Sequence, residues 1–127
     1  MNDLKANPQI VAVLGASPKP TRYSNMAVNA LLDHGHTVIP IHPTAVEIAG
    51  IPVKSCLNQI DHQIDTLTIY VSPERLEKIK PFIIELKPRR VIFNPGSEEE
   101  LVMNELQKNG IEVKQGCTLV MLKTGQF

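Results

Sequence analysis

The chain has no excess of charge of either sign: 13 basic residues face 13 acidic ones, and the formal net charge is zero. Without a long-range field, neither nucleic acid nor anionic lipid is expected as a partner. No apolar run approaches the roughly 18–20 residues that a membrane-spanning helix needs. The first residues also lack the charged-then-apolar pattern of a secretory leader. Cysteine is scarce, with only Cys56 and Cys117, and neither sits in a CxxC or metal-ligand spacing. Two such thiols read as free rather than paired. The expectation is a cytoplasmic protein. Its 127 residues, 43% hydrophobic and 20% charged, suit one domain over residues 1–127 with a single buried core.

Strand-like and helix-like segments alternate along the chain. Ile10 to Leu14 (IVAVL) is a short apolar, β-branched run stopped by Gly15, as fits a strand covered on both faces. Met26, Ala27, Ala30, Leu31 and His34 then fall near helical spacing, with Gly35 where a left-handed cap belongs. Thr37 to Ile41 reads as a second strand, with Pro40 near its end. Between Thr44 and Ile64 the signal is weak, and Gly50 to Val53 reads as a small strand or turn.

Leu67 to Val71 is expected as the third main strand, followed by Ser72 as N-cap and Pro73 as first helical residue. Leu76, Ile79, Ile83 and Leu86 mark one helix face, which Pro81 should kink or divide. Val91 to Phe93 is a fourth strand. Ser97-Glu98-Glu99-Glu100 has capping-box spacing and opens a helix to about Lys108, closed by Gly110. Ile111 to Lys114 and a short segment from Cys117 to Leu122 complete the order. Such alternation with short crossovers predicts an α/β, Rossmann-like three-layer sandwich around a mainly parallel five-stranded sheet.

In such a sheet, ligands sit beyond the carboxyl ends of the strands. That edge should be built from Gly15-Ala16-Ser17-Pro18, His42-Pro43, Val71-Ser72-Pro73, Asn94-Pro95-Gly96 and Gly116-Cys117. The first of these loops leads into a helix whose N-terminus can attract an anion. Gly15 allows close backbone approach, Ser17 offers a hydroxyl, and Lys19 and Arg22 offer positive charge. The dinucleotide fingerprint is incomplete, because this loop holds only one glycine of GxGxxG. No carboxylate ends the second strand to take a ribose 2′-hydroxyl; His42 stands in that region. A phosphorylated ribose suits such a site better than NAD does, and both coenzyme A and NADP qualify.

The run Val13-Leu14-Gly15-Ala16-Ser17-Pro18-Lys19-Pro20-Thr21-Arg22-Tyr23-Ser24-Asn25, followed by Gly35 to Pro40, resembles the opening of the small CoA-binding proteins. These are stand-alone relatives of the CoA-binding domain of succinyl-CoA synthetase α chains. Tyr70 to Glu74 and Gly116 to Met121 match that family's later motifs, so the resemblance spans nearly the whole chain. It implies coenzyme A, or an acyl-CoA, lying across the strand ends. Gly15, Ala16, Ser17 and Pro18 would wrap the pyrophosphate, with Arg22, Tyr23 and Ser24 close by. Pro43 would shape the pocket beside the adenosine, Val71, Ser72 and Pro73 would form the opposite wall, and Asn94, Pro95 and Gly96 the rim. This chain departs from the family's usual residues in carrying His42 for asparagine, Thr44 for lysine and Asn94 for glutamine. Loss of that lysine removes one phosphate partner, which Lys54 is a candidate to replace.

No complete catalytic constellation stands out. Succinyl-CoA synthetases use a phosphohistidine in a second domain that this length does not hold, so the resemblance carries binding rather than ligase activity. Cys117, opening the last segment, reads first as a small buried residue. Placed at a helix start it could instead face the cofactor's thiol and exchange with it. Cys56 reads as structural. His34 and His36 read as a helix end and a strand start, and His42 either touches ligand or ends the second strand. The three glutamates Glu98 to Glu100 read as a helix start, not a metal site. Nothing here excludes a homo-oligomer or names a protein partner.

Overall fold

The computed structural model describes residues 7–127. Strand β1 (Ile10–Leu14) is followed by helix α1 (Tyr23–Asp33) and strand β2 (Thr37–Ile41). A two-strand hairpin, β3 (Glu47–Ile48) and β4 (Ile51–Pro52), and a 3₁₀ turn at Leu57–Gln59 lead to β5 (Thr66–Ile69). Then come α2 (Pro73–Leu86), β6 (Arg90–Phe93), α3 (Glu100–Lys108), β7 (Glu112–Gln115) and α4 (Thr118–Thr124). The main sheet has the order β2-β1-β5-β6-β7, and every neighbouring pair is parallel. The hairpin forms a separate antiparallel pair, turning through Ala49 and Gly50 at positive φ.

The apolar run of β1 is explained by its place at the middle of a sheet covered on both faces. Val11 and Val13 pack on one side with Val28 and Leu31 of α1 and Leu122 of α4. Ala12 and Leu14 pack on the other with Leu76 and Ile83 of α2 and Val102 and Leu106 of α3. This two-residue alternation splits one strand between two core layers. By contrast, β7 is the sheet edge and carries exposed Glu112, Lys114 and Gln115, charged and polar groups that discourage pairing with another chain.

Four expectations change. The third main strand ends at Ile69, so Tyr70 and Val71 already belong to the turn beyond the sheet. The buried face of α1 is Ser24, Asn25, Ala27, Val28 and Leu31, while Met26 and His34 face outward. The face is rotated toward the helix start because Asn25 Nδ2 donates to Ser17 O at 2.8 Å, tying the helix to the preceding loop. Pro81 does not divide α2, which runs unbroken for 14 residues. It lies on the exposed side, where the Glu77 carbonyl that loses its partner opens to solvent. The helix expected from Ser97 begins at Glu100, with Glu99 as its cap, accepting from Leu101 N and Val102 N. Ser97 is buried instead, its hydroxyl donating to Asn94 O at 2.7 Å.

Candidate functional site

From β1 the chain passes through α1 to β2 on one side, and then crosses back to β5 on the other. The crossovers diverge between the carboxyl ends of β1 and β5, where sheets of this kind open a crevice. A cleft of about 520 Å³ lies there. It falls within the range of ligand sites, about 300–1,000 Å³. Its apolar walls come from Leu14, Ile41, Val71, Ile79 and Phe82, and its basic groups from Lys19, Arg22 and Arg75. Among the described residues no carboxylate lines it.

The turn out of β1 depends on Gly15, whose φ is +87°. A Cβ there would stand 3.0 Å from Val71 Cγ1 and 3.2 Å from the Tyr70 carbonyl carbon. The turn then re-forms its pairing one residue late, as Ala16 N–H donates to Ile41 O at 3.1 Å. The Ser17 hydroxyl accepts from Lys19 N–H at 3.1 Å, and the Ser17 carbonyl is held by Asn25. Helix α1 follows without help at its start: Arg22, its N-cap, provides no side-chain cap, and the first turn holds no acid. Among the described residues, the backbone N–H groups of Ser17, Thr21, Tyr23 and Ser24 have no acceptor. Four donors, a positive helix end and two nearby cations thus share one turn.

His42 does two things. Its Nδ1 accepts from Thr44 N–H at 3.1 Å and Ala45 N–H at 2.9 Å, which bends the chain away from β2. With Nδ1 used as acceptor, the proton of the neutral ring sits on Nε2, and the residue lines the cleft. Lys54 is placed beside it, since Lys54 O accepts from His42 N–H and Lys54 N–H donates to Pro40 O. Its side chain is not part of the cleft wall.

Of the residues singled out from the sequence, Gly15, Ala16, Ser17, Pro18, Lys19, Arg22, His42, Pro43 and Val71 meet in this cleft. Tyr23 and Ser24 lie just outside, Tyr23 largely exposed and the Ser24 side chain buried. Ser72 and Pro73 form the start of α2, where Ser72 caps through its carbonyl and not its hydroxyl. Asn94, Pro95 and Gly96 do not reach the cleft wall. The Asn94 side chain is buried and spent internally: Nδ2 donates to Thr68 Oγ1 at 2.6 Å and Ile69 O at 2.9 Å, and Oδ1 accepts from Thr118 N–H at 2.9 Å. Cys117 is the half-buried N-cap of α4 and stands apart from the cleft.

Sequence reading missed Ser55, Cys56, Leu57, Arg75, Ile79 and Phe82, all of which line the cleft. Cys56, taken as structural, is exposed there, with Sγ donating to Asn58 Oδ1 at 2.6 Å. One available signal was Arg75, a cation in the first turn of a helix, where acids are favoured. The Tyr70 hydroxyl is buried with no hydrogen-bond partner among the described residues, and burial pushes its pKa up to about 12.

A doubly wound parallel sheet with a cationic cleft at its crossover point defines an α/β domain of the Rossmann-like class, with its crevice where such sheets hold ligands. Residues 9–123 match the model of the CoA binding domain family, and the chain belongs to that family. It is 35% identical over 75 residues to the uncharacterized protein YneT of Bacillus subtilis strain 168, covering 59% of this chain and 56% of that one. It is also 35% identical over 69 residues to the ADP-forming acetate–CoA ligase I of Archaeoglobus fulgidus, covering 54% of this chain but 10% of the ligase. The chain thus spans about half the length of the first relative and a tenth of the second. A crystal structure of an uncharacterized protein superposes with a TM-score of 0.89 at 39% identity, covering 94% of this chain and 98% of its own. No helix among the described residues is long and apolar enough to cross a membrane.

Proposed function

We propose that the chain, as one domain, binds coenzyme A or an acyl-CoA at the carboxyl edge of its sheet, as a non-catalytic binding or regulatory module. The observation that carries this reading is the turn from Ser17 to Ser24, with four amides, Lys19 and Arg22 all lacking partners among the described residues, and an uncapped helix start. A diphosphate fits those donors, because backbone amides and fixed cations are the groups that bind phosphate at helix starts. The apolar surfaces of Ile41, Val71, Ile79 and Phe82 suit an adenine ring. His42 offers a hydrogen-bond donor at Nε2 in place of the carboxylate that would repel a phosphorylated ribose.

The reading is one of binding, with no step of turnover assigned to the cleft. Among the described residues no group of three His, Cys, Asp or Glu is placed to hold a metal. Cys117 lies away from the cleft, which weakens thiol or acyl exchange through it. Isothermal titration with coenzyme A and with NADP tests the reading. Saturable binding of coenzyme A, at least tenfold tighter than NADP, is the expected result (about 1.4 kcal/mol). Preference for NADP, or no heat with coenzyme A, would overturn it.

A further inference from the structure

We infer that Arg75 reads the ribose phosphate of the ligand and thereby separates coenzyme A from dephospho-coenzyme A. The inference rests on the proposed seating of coenzyme A in the cleft. Arg75 is the third residue of α2, and a cation in a helix's first turn opposes the helix dipole. It is exposed, and among the described residues its side chain forms neither an ion pair nor a hydrogen bond. Neither helix stability nor a neighbouring carboxylate accounts for it. Yet it lines the cleft, on the α2 wall that faces the turn out of β1.

Coenzyme A carries two separated anionic groups, a diphosphate and a ribose monophosphate. Lys19, Arg22 and the free amides stand together on one turn and match the first group. The cation left on the other wall is Arg75. Thr44, at the end of β2, brings no charge, and the Lys54 side chain is off the cleft wall. A guanidinium suits the task because its planar fork can give two hydrogen bonds to one phosphate, which the point charge of lysine cannot.

Calorimetric titration of the wild type, Arg75→Ala and Arg75→Lys with coenzyme A and dephospho-coenzyme A tests this. The wild type should bind coenzyme A about tenfold more tightly than dephospho-coenzyme A. Arg75→Ala should lose roughly that factor for coenzyme A and change by less than about twofold for dephospho-coenzyme A, with Arg75→Lys between the two. The wild-type preference should shrink as salt is raised. Equal loss for both ligands, no loss for either, or a wild type that does not discriminate would overturn the role of Arg75. A wild type that binds neither ligand would overturn the seating of coenzyme A itself. Thermal melts matching the wild type keep a folding defect from imitating the effect.

Discussion

Replacing Gly15 with alanine should destabilise the protein through two separable costs. The first is conformational, because φ of +87° is a region that costs an L-residue about 1–2 kcal/mol. The second is contact: the new methyl would stand 3.0 Å from Val71 Cγ1, 3.2 Å from Tyr70 C and 3.3 Å from Tyr70 O. Two of those atoms are backbone at the end of β5 and cannot swing aside. Forcing extra volume into a packed site costs about 1–3 kcal/mol. Gly110 provides the control, since its φ is +82° and nothing lies within 4 Å of its added Cβ. Gly110→Ala therefore carries the first cost alone. In urea denaturation, a difference of about 2 kcal/mol with an m of about 2 kcal/mol/M separates the two midpoints by about 1 M. Gly15→Ala should have the lower midpoint, with m unchanged. Coincident midpoints would refute the argument that β1 and the end of β5 approach too closely for any side chain.

Asn94→Ala should cost about 1–3 kcal/mol in the same assay, because it leaves the buried Thr118 N–H without an acceptor while the Ile69 carbonyl keeps the backbone N–H of residue 94; a loss under about 0.5 kcal/mol would show that the network is unimportant. Tyr70 and Tyr23 are the only tyrosines, so tyrosinate absorbance in Tyr23→Phe follows Tyr70 alone. It should titrate near 12 and not 10, and stability should be held below pH 10 and fall as pH rises from 10 toward 12. His36 is held below the ordinary histidine value of 6.5, first by burial and then by repulsion from His34 and Arg90. Below pH 6.5 the unfolded chain takes the proton before the folded one, so stability should fall as pH drops from 6.5 to the lower folded pKa and then level off, with no cost above pH 6.5. His36→Gln should flatten that part of the pH–stability curve, and an unchanged slope would contradict the assignment.

Much of the fold was legible because its signals are local. The apolar runs of β1 and β2 are recognisable wherever they stand, and Gly35 and Gly110 lie at the helix ends with φ of +88° and +82°. Where two residues satisfy the same local rule, sequence spacing does not choose between them. Ser97 and Glu99 are both acceptable caps, and the choice is made by Asn94, whose carbonyl takes the Ser97 hydroxyl. The α1 face is likewise set by a contact from Asn25 to Ser17, not by periodicity. The site divides in the same way. Its β1 and β2 loops are contiguous motifs and were readable, whereas Ser55 to Leu57, Arg75 and Phe82 reach the cleft only after the chain crosses from β2 back past β1. Asn94 illustrates the reverse case: a strand-end residue that looks exposed in sequence but is buried under β5 and α4 contacts.

Amide NMR spectra recorded while coenzyme A is titrated into the protein test the central claim most directly. The backbone N–H signals of Ser17, Thr21, Tyr23 and Ser24 should move first and furthest, since those donors are left open to a diphosphate. Shifts concentrated instead at the opposite end of the sheet, around His34, His36 and Phe127, would contradict it.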